Sequence, residues 1–149
     1  MEITVYTDGS CREQERAGAW VAILLFRGSK IVLSGKEKCT THNRMELTAV
    51  LQAIEYIRDH ISSHSAIKIY SDSQYVVNLP ARKEKLTAAH YITKKGKELN
   101  NSDLLKIFFT YLNEYPVELL KIKAHQKKSE RINYNIEADI LSRKLVRES

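Results

Sequence analysis

Val5-Tyr6-Thr7-Asp8 near the N-terminus is echoed by Ile69-Tyr70-Ser71-Asp72 in the middle of the chain. Both runs are rich in β-branched and aromatic residues, which suit a pleated, half-buried surface, and both end on an aspartate. Read as strands, they place carboxylates at their C-terminal ends, where open α/β sheets bind ligands. As parallel neighbours they would set the two aspartates about 5 Å apart. Two charges at that separation repel by roughly 3–4 kcal/mol at an effective dielectric constant of 20, so a proton or a cation has to relieve them. The plainer alternative is that strand-end aspartates form caps and turns, and Asp72, just ahead of Ser73-Gln74, suits a helix cap.

Working outward from these runs, residues 2–8 alternate as a strand. Ala19 to Phe26 and Lys30 to Lys38 read as two more strands, with Arg27-Gly28-Ser29 as the turn, which predicts an antiparallel meander. The pattern turns helical from Asn43 to about Ile61 and returns to strand from Ala66 to Ser71. A mostly helical stretch follows from Ser73 to Asn113, predicted to break at Pro80 and near Gly96. Pro116 introduces a last strand, Val117 to Lys123, and a final helix runs from Ile132 to Val146. Strands separated by helices imply parallel crossovers. The predicted fold class is therefore α/β: a five-stranded mixed sheet, three antiparallel strands then two parallel, flanked by helices in one domain over residues 1–149.

Two further carboxylates matter. At 100° per residue Glu46 falls in line with Val50, Ala53, Ile57 and Ile61, opposite the polar stripe of Arg44, Thr48, Gln52, Glu55 and Asp59. A carboxylate on a core-facing stripe is costly unless paired, protonated or metal-bound. Placed in the first turn, it would also suit the helix dipole. Asp139 shares a helix face with Asn135, Ser142 and Arg143, and an exposed pair with Arg143 would explain it.

Composition bounds the remaining possibilities. A chain of 149 residues, 43% apolar and 28% charged, can bury a proper core and reads as a soluble globular protein. No apolar run is long enough to span a membrane, and the opening Glu2-Ile3-Thr4-Val5 lacks the pattern of a signal peptide, so a cytoplasmic location is expected. Cys11 and Cys39 are then expected as free thiols, and no Cys/His spacing points to zinc. The net charge of +6 leans towards a polyanionic partner. Its placement says more: Lys83, Lys85, Lys94, Lys95 and Lys97 fall in one stretch, and Lys121, Lys123, Lys127, Lys128 and Arg131 in another. Both stretches also read as solvated faces. Five glycines without a Gly-x-Gly-x-x-Gly run argue against a glycine-loop phosphate binder.

Four blocks carry a family resemblance. Tyr6-Thr7-Asp8-Gly9-Ser10-Cys11, Thr40-Thr41-His42-Asn43-Arg44-Met45-Glu46-Leu47 and Ser71-Asp72-Ser73-Gln74-Tyr75-Val76 resemble, in order, the signatures of type 1 ribonuclease H. Lys123-Ala124-His125 with Asn135 to Asp139 is similar to its C-terminal signature. The resemblance implies a ribonuclease H-like fold and hydrolysis of the RNA strand of RNA–DNA hybrids, leaving 5′-phosphate and 3′-hydroxyl ends. It implies that Asp8, Glu46, Asp72 and Asp139 bind two Mg²⁺ ions, with Mn²⁺ a possible substitute, for in-line phosphoryl displacement. It makes His125 a proton carrier or an aid to product release. It further assigns substrate contacts to Gly9, Ser10, Cys11, Asn43 and Gln74, and the grip on DNA phosphates to Lys94, Lys95 and Lys97. The implied partner is the hybrid duplex, bound by a monomer that is not attached to a membrane.

The chain also departs from the family pattern. Arg12-Glu13-Gln14-Glu15-Arg16 is polar where bacterial relatives are rich in glycine and proline, and His42 stands where asparagine is frequent. The basic stretch lacks tryptophan and is short, and no separate hybrid-binding domain is expected before residue 1. His42, His60, His64 and His90 read as surface residues. Competing readings are another nuclease or strand-transfer protein of the same fold, and a hybrid-binding module that has lost catalysis.

Overall fold

The computed structural model describes residues 2–12, 14–61, 66–122 and 134–148. The elements run β1 (Glu2–Arg12), β2 (Ala17–Phe26), β3 (Ser29–Lys38), α1 (His42–His60), β4 (Ala66–Ser71), α2 (Gln74–Ala88), α3 (Ser102–Glu114), β5 (Val117–Lys121) and α4 (Tyr134–Arg147). The sheet order is β3-β2-β1-β4-β5. β1, β2 and β3 are antiparallel neighbours, while β1–β4 and β4–β5 are parallel. The predicted five-stranded mixed sheet is thus observed. The β2–β3 hairpin turns on Arg27 and Gly28, both at positive φ (49° and 77°), the backbone pattern that matches strand twist in two-residue loops.

Strand alternation explains how the sheet is covered. Ile3 and Val5 of β1, with Ala22 and Leu24 of β2, join the large core with Leu47, Val50, Ile54 and Ile57 of α1 and Phe108 of α3. The alternate residues Val21 and Ile23 pack on the other face with Ala138 of α4 and the partly buried Tyr6, Leu25 and Leu141. Because both faces are covered, Val21 to Leu24 is buried without interruption. That continuous apolar run is the mark of a two-sided strand.

Two features differ from the sequence expectation. β1 continues beyond Asp8 to Arg12, because its antiparallel ladder with β2 extends past the point where its pairing with β4 stops, at Tyr6–Tyr70. Pro80 does not break the helical stretch but lies within α2. Val76, Leu79 and Leu86 on that helix are buried in the main core, and this packing outweighs a local propensity cost of about 3 kcal/mol. The other expected break, near Gly96, is observed: α2 and α3 are separate helices and Gly96 between them is at φ 80°. Lys123 and Ile132, expected at element ends, lie outside the described residues.

The start of helix α1 is held by a cap and by an ion pair. Thr41 caps it by accepting from the Arg44 amide, and Arg44 reaches α3 with a two-pronged bond to Asp103 at 2.8 and 3.1 Å. The closest approach to the sheet occurs at Gly9, where an added Cβ would come within 2.5 Å of the Glu46 amide nitrogen and 2.7 Å of the Met45 carbonyl carbon. Only a residue without a side chain lets α1 lie so near β1. Gly9→Ala should therefore push α1 away and destabilise the fold by about 1–3 kcal/mol, the usual cost of overpacking. Thermal unfolding beside wild type checks this, and an unchanged Tm would show that the helix has room to give.

Candidate metal and nucleic-acid site

Asp8 is on β1 two residues beyond the end of the pairing with β4 at Tyr6, Asp72 follows the last residue of β4, and Glu46 is on α1, brought close at Gly9. One ligand atom from each of these three carboxylates lies within 4.8 Å of the others. The parallel arrangement anticipated from the echoed strands is what joins Asp8 and Asp72. Asp72 is not the cap of α2; Ser73 takes that role, its Oγ accepting from the Val76 amide at 3.3 Å. Glu46 is not in the first turn of α1, which begins at His42, and it is 1% exposed. The core-facing reading of its stripe is correct.

The three carboxylates open into a cleft of about 270 Å³ lined also by Ser10, His42, Asn135, Asp139 and Arg143. Asp139 reaches this wall from α4 without joining the tight group, and its Oδ1 accepts from Arg143 Nε at 3.0 Å. The pair with Arg143 expected from the helix spacing is observed, and it sits on the cleft wall. His125 lies outside the described residues.

Burial dominates the electrostatics. Desolvation, with repulsion from Glu46 next and from Asp72 and Asp139 after it, pushes the Asp8 carboxyl from its ordinary 3.8 to about 9, against an opposing hydrogen bond from Ser142. Desolvation also raises the pKa of Glu46, opposed by the hydrogen bond from His42 and a backbone bond from Gly9. Glu46 Oε1 lies 3.2 Å from His42 Nε2, whereas its buried Oε2 has no hydrogen-bond partner among the described residues. His42, read from sequence as a surface residue, is 59% exposed yet holds the buried carboxylate. An all-oxygen set of crowded acids with an orphaned buried oxygen fits a hard divalent cation better than it fits protons alone.

Sequence reasoning missed Ser142. It was placed on the face of Asp139, but a contact to Asp8 across 134 residues has no local signature. The remaining predicted contacts are more spread out. Ser10 borders the cleft, and Cys11 Sγ donates to the Thr40 carbonyl at 3.6 Å. Asn43 lines a neighbouring cleft of about 470 Å³ with Arg44, Tyr75 and Arg82. Gln74 is exposed at the start of α2 and donates to Asn78 at 2.7 Å. Lys94, Lys95 and Lys97 are all exposed in the segment between α2 and α3. Both cysteines are free, as expected. No helix among the described residues is long and apolar enough to cross a membrane.

Comparison with known proteins agrees with the geometry. A family model described as RNase H matches residues 1–147. A Ribonuclease H of Caldicellulosiruptor saccharolyticus is 31% identical over 99% of this chain and 97% of its own length. One from Chlorobium phaeobacteroides is 35% identical over 83% of this chain and 84% of its own. Two solved structures share the fold. The crystal structure of LC9-RNase H1, a type 1 RNase H with the type 2 active-site motif, superposes with a TM-score of 0.80 at 23% identity, covering 99% of this chain and 72% of that one. A foamy viral protease–reverse transcriptase in complex with dsDNA gives 0.76 at 18% identity, covering 99% and 95%.

The raised carboxyls set a testable pH dependence. A folded-state pKa above the unfolded value means that the fold keeps a proton which the unfolded chain has lost. In the absence of metal, stability is therefore full below pH 3.8 with respect to Asp8 and falls as pH rises from there towards about 9. Asp8→Asn removes this penalty, so the metal-free variant should melt above wild type at pH 7–8, at about 2–4 °C per kcal/mol of relief. The gap should close as pH approaches 4. Calorimetric scans in chelator across that range check both points, and a variant less stable than wild type at pH 8 would contradict the account.

Proposed function

We propose that this chain, which belongs to the ribonuclease H family, hydrolyses the RNA strand of RNA–DNA hybrids with divalent metal ions held in its acidic cleft, leaving 5′-phosphate and 3′-hydroxyl ends. The observation that carries this reading is the group Asp8, Glu46 and Asp72, with ligand atoms within 4.8 Å and two of the three residues buried. Asp139 on the cleft wall would complete the set for two ions of the Mg²⁺ or Mn²⁺ kind. When bound, such ions supply nucleophile activation and charge stabilisation for in-line phosphoryl displacement.

The chain's own residues hold and orient this chemistry. Asp8 and Asp72 are fixed by neighbouring parallel strands, and Glu46 by a helix held close to the sheet at Gly9, so the carboxylates are set by backbone rather than by flexible loops. Ser10 and Gly9 on the cleft wall, together with Cys11 on β1, Asn43 in the neighbouring cleft and Gln74 at the start of α2, supply polar groups for a minor groove carrying 2′-hydroxyls. Lys94, Lys95 and Lys97 offer exposed cations for the phosphates of the DNA strand. His125 keeps the role that its motif implies, handling a proton or assisting release of product.

Labelled hybrid, RNA duplex and DNA duplex, each incubated with Mg²⁺ or with chelator, test the activity. Cleavage should be confined to the RNA of the hybrid and should require metal. Asp8→Asn and Asp72→Asn should each abolish it while the protein stays folded, and near-normal turnover in either would refute the metal-site assignment.

The lysines generate a second expectation. Replacing Lys94, Lys95 and Lys97 together by alanine should weaken hybrid binding. It should also flatten the plot of log affinity against log salt by about 0.9 per lost phosphate contact, the value for a B-form duplex. Binding titrations at several salt concentrations measure this, and an unaltered slope would make the segment a solvated face only.

A further inference from the structure

Ser142 is wholly buried on α4, and its hydroxyl lies 2.6 Å from Asp8 Oδ2. Ser10 Oγ lies 2.7 Å from the same hydroxyl, and the Asp139 carbonyl 3.1 Å from it. A serine hydroxyl has one proton to give. With a cation holding Asp8 ionised, its carboxylate at 2.6 Å is both a nearer and a stronger acceptor than the Asp139 carbonyl at 3.1 Å, so Ser142 donates to Asp8. Ser10 must then be the donor to Ser142. The result is a directed chain, Ser10 to Ser142 to Asp8, running from the cleft edge to a buried carboxylate.

We infer that Ser142 is a positioning residue for the metal site: it fixes the plane of the Asp8 carboxylate and connects it, through Ser10, to the surface that receives the nucleic acid. The inference rests on the proposed binding of metal at Asp8. The terminal torsion of an aspartate is broad and weakly restrained. A hydrogen bond to one oxygen orients the group and leaves the second for a cation. Groups that orient a metal ligand from behind typically govern metal affinity by about 10–100-fold. The chain also makes Ser10 a point of reciprocal coupling: whatever disturbs its hydroxyl alters metal binding at Asp8, and metal at Asp8 alters how Ser10 is held.

Calorimetric titration with Mn²⁺ tests this on wild type, Ser142→Ala, Ser142→Thr, Ser10→Ala, the Ser10→Ala/Ser142→Ala double variant and Asp8→Asn. The Tm of each metal-free protein is measured alongside. Ser142→Ala should weaken Mn²⁺ binding by about 10–100-fold with little change in Tm, and Ser142→Thr, which keeps the hydroxyl, should recover most of the loss. Ser10→Ala should cause a smaller loss that disappears in the Ser142→Ala background, as expected of groups acting in series. Unchanged Mn²⁺ affinity in Ser142→Ala, with wild type binding and Asp8→Asn not binding, overturns the inference and leaves the metal site standing. A loss that only tracks a large fall in Tm marks Ser142 as a clasp between α4 and β1 and also overturns it. Absence of Mn²⁺ binding by wild type, or binding that survives in Asp8→Asn, overturns the metal site and this inference together.

Discussion

Asp8 and Glu46 are carboxylates removed from water and set beside each other and Asp72, and the surrounding architecture is organised by the cost of keeping them there. Isolated buried acids would take up protons, and the raised pKa values of both show that tendency. Against it the structure sets specific donors: Ser142 to Asp8, and His42 with the Gly9 backbone to Glu46. These bonds hold the groups in place without neutralising them. A site under such repulsion destabilises the empty protein and favours a divalent cation, so local instability and metal affinity have one physical origin.

The sheet makes that confrontation possible. Parallel pairing of β1 and β4 brings two aspartates 64 positions apart in sequence to the same end of adjacent strands, since Tyr6 pairs with Tyr70. Strand alternation then divides the labour between the faces: Ile3 and Val5 anchor α1 on one side, while Tyr6 packs with residues of α4 on the other. Glu46 arrives from α1, and Ser142 and Asp139 from α4. The cleft therefore forms where two opposed helices meet β1 just beyond the end of its parallel ladder with β4, as is general for open α/β sheets.

Much of this was legible because it is periodic or local. The alternation of β1, the meander with its Arg27-Gly28 turn, and Glu46 on an apolar stripe are patterns contained within one element. Where the reading failed, a local rule met a tertiary contact. Pro80 breaks helices in isolation, yet the buried Val76, Leu79 and Leu86 carry α2 through it. Asp72 suited a helix cap, but adjacent Ser73 caps equally well and leaves the carboxylate to the cleft. His42 is exposed by area, and only the position of Glu46 one turn on shows what its ring holds.

By itself, the sequence determined the family, through four ordered motif blocks, and the order and type of the strands and the unusual placing of Asp8, Asp72 and Glu46, because motifs, short-range periodicity and the echoed runs are written in nearby residues. Tertiary structure alone decided that Gly9 must be bare for α1 to approach, that Asp139 lines the same cleft as Asp8 and Glu46, and that Ser142 holds Asp8. Each of these depends on distances between segments far apart in the chain, and such distances exist only after the hydrophobic faces of α1 and α4 have closed on the two sides of one sheet.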